Sequence, residues 1–258
     1  MFSFLKKKEP VVIDDCIKII EDYNDIMPIA KYFHKETGIT FDKQISILKN
    51  KVISFCKQRK IHSFEKLLTD IESQASMKQE LIDHLTTNET FFYRETKQIF
   101  ELVQLVKESH SNINILCAPS ATGEEPYSIA IALLESGVLS SKFKIVGIDI
   151  NSDAVFKSKS AMYGERNVRK LSPEIISKYF THKDNKYYLN DNIKSLVSFQ
   201  IANLFDSSFS TLGKFDFVFS RNMLIYFDRE TKLKAKSILE SVRKTNEHQI
   251  FFGHADLF

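Results

Sequence analysis

The chain has little of what marks a secreted, metal-bound or membrane-embedded protein. Three cysteines in 258 residues (Cys16, Cys56, Cys117) are odd in number and share no CxxC or Cys/His ligand spacing, which argues against a disulfide framework and against a metal site. No apolar run approaches the roughly 18–20 residues of a membrane span. The opening Met1-Phe-Ser-Phe-Leu-Lys-Lys-Lys lacks the apolar stretch of a signal peptide. A cytoplasmic protein without direct membrane insertion is expected. The net charge of +3 neither demands nor excludes an acidic partner, so the placement of charge matters more than its sum. Glycine is scarce, seven in the chain against an average near 7%, so each sits where the backbone needs one. What is present is core-forming material: 22 Phe and 9 Tyr exclude disorder. The length suits one large or two modest domains.

The texture changes near residue 85. Before it, apolar residues recur at three and four: Ile45, Leu48, Val52 and Phe55 form one helical stripe, and Phe64, Leu67, Leu68 and Ile71 another behind a capping Ser63. Thr37-Gly38-Ile39 reads as a stop between helices. Residues 1–85 are therefore expected to be a helical domain, with 86–111 a connecting segment and helix. From 112 to 258, short β-rich runs alternate with helices. Strands are expected at 113–117, 143–150, 187–189, 196–201, 215–220 and 250–253, and helices at 126–135, 152–161, 173–180 and 229–243. Such alternation implies an α/β domain with a doubly wound, largely parallel sheet.

Open α/β sheets bind ligands at the carboxyl ends of their strands. The first strand leads into Cys117-Ala-Pro-Ser-Ala-Thr-Gly123-Glu124-Glu125-Pro126, small residues entering a helix. Small residues allow close approach to the backbone, but two glutamates and no lysine repel a phosphate, which argues against a P-loop or a GxGxxG cradle. The second strand ends at Asp149, positioned to accept from ribose hydroxyls. An acidic first turn with a ribose-holding aspartate points to a cationic nucleoside without phosphates, such as S-adenosylmethionine (SAM).

Four motifs then occur in order: Asn88-Glu-Thr90-Phe-Phe-Tyr-Arg94-Glu95, Ala121-Thr-Gly-Glu-Glu-Pro-Tyr-Ser128, Asp149, and Arg221-Asn222-Met-Leu-Ile-Tyr226-Phe-Asp228. Together they resemble the CheR family of chemotaxis receptor methyltransferases over nearly the whole chain. The resemblance implies a Rossmann-like SAM-dependent methyltransferase fold with an all-α N-terminal domain facing the receptor. It also implies a small antiparallel β-subdomain near 170–197, which in some members docks a receptor C-terminal peptide. It places SAM, whose product is S-adenosylhomocysteine, against Asn88, Thr90, Arg94, Glu125, Asp149, Asn203, Leu204, Arg221 and Asn222. Arg94 and Tyr226 then stand at the reacting methyl group. Pro119 and Ala121 depart from the family's first turn. The sequence ends at Gly253-His-Ala-Asp-Leu-Phe258, where relatives continue through two further strands, so a sheet lacking the last family strands is expected.

The chemistry follows from the reactants. A glutamate carboxylate with pKa near 4.3 is already ionised at neutral pH, so displacement at a sulfonium methyl needs no general base. Alignment and removal of water are the enzyme's task, and orientation alone is worth several kcal/mol. Arg94 is expected to neutralise or position a carboxylate, and Tyr226 to set its ring or hydroxyl against the sulfonium. The plainer alternatives are that Tyr226 and Phe227 are core aromatics, Arg94-Glu95 a surface ion pair, Asn222 a turn cap and Asp149 a helix cap. Phe91 and Phe92 read as core, Cys117 as a small buried residue, and His34, His62 and His182 as structural or solvent-facing. His254 also matches the family.

Six basic residues (Lys43, Lys49, Lys51, Lys57, Arg59, Lys60) against one acid, Asp42, make a basic helical face. It is either a solvated surface or a footprint for the acidic helices of chemotaxis receptors, with Lys49, Lys51, Lys57 and Arg59 facing them. Two rival functions are a SAM-dependent methyltransferase acting on another substrate and a non-catalytic SAM-binding regulatory module. Nucleic acid is disfavoured, because the chain lacks an Asn-Pro-Pro-Tyr motif and basic residues interleaved with stacking aromatics.

Overall fold

A computed structural model describes residues 21–245, 247 and 249–256. Cys16 and residues 1–8 lie outside the described residues. Among the described residues, no helix is long and apolar enough to cross a membrane.

The N-terminal part folds as α1 (Met27–Thr37), α2 (Ile45–Gln58), α3 (Phe64–Ser73) and α4 (Ala75–Leu85) around a core of Phe33, Leu48, Val52, Phe55, Leu67 and Ile71. Gly38 ends α1 at φ +74°, where a Cβ would sit 2.3 Å from the Phe205 ring, so both the conformation and the space require glycine. Ser63 Oγ accepts from Lys66 N at 3.1 Å and starts α3, a cap worth about 1 kcal/mol.

Helix α5 (Thr96–Glu108) leads into β1 (Ile113–Cys117), α6 (Glu124–Glu135), β2 (Phe143–Asp149) and α7 (Ser152–Ser160). There follow β3 (Met162–Tyr163), α8 (Glu165–Val168), α9 (Pro173–Tyr179), β4 (Phe180–Lys183), β5 (Lys186–Leu189) and α10 (Asp191–Lys194). Then come β6 (Val197–Ile201), β7 (Phe217–Ser220), α11 (Arg229–Ser241) and β8 (Ile250–Phe252). The main sheet has order β6-β2-β1-β7-β8 and every pairing in it is parallel. The chain winds outward from β1 to β6 on one side, then returns to β7 and β8 on the other. The switch point therefore lies between β1 and β7.

Several boundaries differ from the sequence expectation, and three of the differences have a visible cause or consequence. Helix α6 starts at Glu124, two residues before Pro126, because the first-turn N–H groups have no intrahelical partner and proline costs nothing there. Helix α11 stops at Ser241, because Arg243 bridges Phe215: Phe215 N donates to Val242 O and Lys244 N to Phe215 O, both 2.8 Å. The antiparallel sheet, of order β3-β5-β4, reaches back to Met162 rather than starting near 170, and Val197 already belongs to the main sheet. Phe92 is core, packed edge-on against Tyr163 and Phe180, whereas Phe91 is only half-buried beneath the Arg169 guanidinium, 3.8 Å from its ring centre.

The helical part is hydrogen-bonded to the α/β part. Asp83 accepts from Ser152 N at 2.7 Å and from Ser152 Oγ, a carboxylate placed on the N-terminus of α7. Gln79 Nε2 donates to Ile150 O at 2.8 Å, and Thr40 N to Tyr226 O at 2.9 Å. This seam runs directly past the carboxyl ends of the strands.

Candidate active site

At the switch point a cavity of about 360 Å³ opens between the two parts. Asn88, Thr90, Arg94, Glu125, Asp149, Asn203, Leu204, Arg221, Asn222 and Tyr226 all line it, although they come from five separate stretches of chain.

Asp149 ends β2 almost fully buried. Its Oδ2 accepts from Ala121 N at 2.8 Å and its Oδ1 from Asn151 N at 2.9 Å, so the carboxylate ties the first turn to the second strand. It is not the helix cap, because Asn151 takes that role and accepts from Ala154 N at 2.8 Å. Burial pushes the Asp149 carboxyl up to about 6 against those two hydrogen bonds. The two first-turn glutamates divide their work. Glu124 is fully buried, accepts from Thr122 Oγ1 at 2.7 Å and from Asn167 Nδ2, and anchors the turn to α8. Glu125 borders the cavity.

At the end of β7, Arg221 is buried with its Nε donating to Glu125 Oε2 and its Nη1 to Glu95 O at 3.2 Å. Among the described residues, Glu125 Oε1 is buried without a hydrogen-bond partner, as is Ser120 Oγ, whose residue also lines the cavity. Burial raises the Glu125 carboxyl, and the Arg221 charge opposes the rise. Glu95 accepts from Asn222 Nδ2 at 3.2 Å and pairs with His254 Nδ1 at 3.1 Å. Burial alone would raise Glu95; Asn222, Arg221 and His254 together outweigh it and hold the carboxyl low. Its ion pair with Arg94 persists at 4.0 Å, and Arg221 at 3.8 Å joins it, so the pair of neighbours in sequence becomes part of a larger, mostly buried cluster.

Asp256 was not anticipated. It is buried, its Oδ2 accepts from Asn222 N and from Gly253 N at 3.0 Å, and its Oδ1 accepts from Leu224 N at 2.8 Å. These bonds hold Asn222 in the left-handed region at φ +59° and set the path toward Tyr226. A Cβ on Gly253 would lie 2.7 Å from Asn222 N, so this scarce glycine was the signal in the sequence. Tyr226 is 39% exposed rather than a core residue, and burial of its phenol raises the pKa, keeping it protonated at neutral pH. Asn203 Nδ2 donates to Glu36 O at 2.6 Å, which commits that side chain to the seam with α1.

The basic face of α2 is largely engaged within its own domain. Lys51 Nζ is turned inward onto Leu85 O at 3.2 Å and lines the cavity, which corrects its expected outward-facing place. Lys49 Nζ donates to Asn24 O at 3.1 Å, Arg59 pairs with Glu80 at 2.6 Å, and Lys57 lies 3.9 Å from Glu21.

Residues 88–258 match the family model described as CheR methyltransferase, SAM binding domain. The chain belongs to the CheR family. Similar proteins are a chemotaxis protein methyltransferase of Campylobacter jejuni, 33% identical over 93% of this chain and 91% of that protein, and one of Salmonella typhimurium, 27% identical over 89% and 82%. Chemotaxis protein methyltransferase 2 of Vibrio cholerae is 31% identical over 93% of this chain and 87% of its own length. As a CheR-family methyltransferase the chain uses S-adenosylmethionine, and the cavity fits that molecule. The acidic Glu125 in the wall suits a group of positive charge, and the Asp149 carboxylate at the β2 end suits a pair of ribose hydroxyls.

Proposed function

We propose that this chain methylates glutamate side chains of chemotaxis receptors in the cytoplasm, giving glutamyl methyl esters. The observation that carries the reading is the buried Arg221–Glu125 pair, set in the cavity wall at the switch point of a CheR-family fold. The chemotactic role of the similar proteins, stated in their names, supports the acceptor class.

In this reading Asp149 holds the ribose, Asn203 and Leu204 border the adenine, and Glu125 accepts from the amine of the methionine part. Asn88, Thr90, Arg221 and Asn222 complete the wall. Bound SAM supplies an electrophilic methyl carbon on sulfur, and its transfer to a carboxylate oxygen leaves a neutral thioether. The chain's residues orient and dehydrate. Arg94, whose Nη1 already donates to Glu89 O at 2.9 Å, stands at the mouth as counter-charge for a carboxylate. Tyr226, protonated at neutral pH, offers its ring face to positive charge and its hydroxyl as a donor, and no residue is required as base.

The test is to incubate the protein with methyl-labelled SAM and the cytoplasmic fragment of a chemotaxis receptor, then treat with mild alkali. Volatile methanol is the expected result. Alkali-stable label would mean transfer to nitrogen, and no label with retained S-adenosylhomocysteine binding would mean a regulatory module.

A further inference from the structure

The three residues that follow Asp149 are each tied to α4 or to the residue just after it. Ile150 O accepts from Gln79 Nε2 at 2.8 Å. Asn151 Nδ2 donates to Asp83 O at 3.1 Å and to Thr86 Oγ1 at 2.7 Å. Ser152 N donates to Asp83 Oδ1 at 2.7 Å, and Ser152 Oγ donates to the other oxygen of the same carboxylate. Gln79 Nε2 also donates to Asp83 Oδ1 at 2.9 Å, so one half-buried side chain gathers donors from both parts of the fold. An acid beside a helix N-terminus is by itself ordinary stabilisation. Asp83 differs in what its partners do next. Asn151 is buried and its amide is used at both ends, because its Oδ1 accepts from Ala154 N at 2.8 Å. The Asn151 backbone N–H is thereby held on Asp149 Oδ1, 2.9 Å away. Two residues beyond Asp83 the chain enters the cavity wall at Leu85, Thr86, Thr87 and Asn88, so Asp83 also stands at the root of a second wall.

We propose that Asp83 is a positioning residue for the cofactor, which through Ser152 and Asn151 holds the Asp149 carboxylate in the orientation that receives the ribose hydroxyls. The inference rests on the ribose role given to Asp149 above and gives the helical part a share in the cofactor site. A carboxylate meets two hydroxyls at once only when its plane is fixed, and fixing it is the work of the groups behind it. One Asp149 oxygen is held by Ala121 N at 2.8 Å, a bond made within the α/β part alone. The other is held by Asn151 N, and that bond is only as firm as the turn Asp83 braces. Asp83 acts on Asp149 through charge as well. Burial raises the Asp149 carboxyl, the N–H groups of Asn151, Ala121 and Ile150 oppose the rise, and the Asp83 charge adds to it. Lys51, Glu89, Arg94, Glu125 and Arg221 line the same cavity as Asp149, and Asp153 of α7 is exposed to solvent. Removing the Asp83 charge should therefore move the Asp149 titration to lower pH, an effect that packing against α7 alone does not produce.

The test uses the full chain and follows S-adenosylhomocysteine binding and the Asp149 titration rather than turnover. By calorimetry at pH 7, Asp83→Ala should weaken binding about tenfold, the scale of one lost hydrogen bond to a charged group. His34→Ala, which cuts the 3.0 Å contact to Asp228 elsewhere on the same seam, should leave the affinity unchanged. In the ligand-free protein, carbon-13 NMR of labelled aspartate carboxyls reads the Asp149 titration directly, with its signal assigned from Asp149→Asn. Asp83→Asn should show a lower Asp149 midpoint than the parent, and the pH below which binding fades should fall with it. This variant keeps an acceptor for Ser152 N, so its arm decides the matter even where the alanine variant does not fold. An unmoved Asp149 midpoint in Asp83→Asn, an affinity of Asp83→Ala within about twofold of the parent, or an equal loss in His34→Ala would overturn the inference. Asp149→Asn separates the two layers. Weak binding there beside an unaffected Asp83→Ala sinks only the positioning role, whereas full affinity there removes the ribose role beneath it.

Discussion

Arg221 Nε donates to Glu125 Oε2, while Glu125 Oε1, also buried, has no hydrogen-bond partner among the described residues. One carboxylate thus neutralises a buried guanidinium and keeps an acceptor in reserve. Glu125→Gln removes the charge at constant size. A hydrogen bond involving a charged group is worth about 1.5–3 kcal/mol, so the S-adenosylhomocysteine dissociation constant should rise between about tenfold and 150-fold by calorimetry. Stability should fall too, because Arg221 loses its closest counter-ion.

Asp149 gives the site a pH dependence of definite sign. Its carboxyl is raised by burial from 3.8 to about 6, so the folded protein holds a proton that the unfolded chain has released. The group therefore favours folding most below about pH 4, and that contribution is lost as pH rises to about 6. Ribose hydroxyls donate to the ionised form, so S-adenosylhomocysteine should bind more weakly below pH 6 and release protons on binding near pH 6. Asp149→Asn should bind weakly with a flat profile across this range. Calorimetry in buffers of different ionisation enthalpy reads the proton count.

Asp256 is expected to matter as much as any residue that touches ligand. Asp256→Ala strands the N–H groups of Asn222, Leu224 and Gly253. A cost on the order of 3 kcal/mol follows, a fall in Tm of roughly 6–12 °C. Amide exchange at residues 222–224 should quicken, and turnover should fall because the path to Tyr226 loosens.

Tyr226 separates ring from hydroxyl. If the ring faces a sulfonium, Tyr226→Ala should weaken binding of SAM by up to about 30-fold, since a desolvated cation–π contact is worth about 2 kcal/mol. Binding of the neutral S-adenosylhomocysteine should change much less. Tyr226→Phe should keep both affinities, and unchanged turnover in that variant would remove the hydroxyl from the mechanism.

The sequence by itself determined what depends on near neighbours. Ser63 and Gly38 fixed helix ends, the three-and-four spacing of Leu48, Val52 and Phe55 fixed a buried face, and strand–helix alternation fixed the parallel sheet. Four motifs in register fixed the family. The tertiary structure decided what depends on partners distant along the chain. Glu95 reads locally as a partner for Arg94, and it keeps that pair at 4.0 Å, but it also takes on Arg221, Asn222 and His254 because β7 and the residues after β8 converge on it. Lys51 reads as one of a basic row, yet it turns inward because Leu85 O lies within its reach. Asp256 carries no periodicity at all; only when β7 and β8 pair does it meet the N–H groups left open where the strand ends. Periodicity records which face of an element is buried, whereas a hydrogen bond across the fold is settled only once the elements are packed.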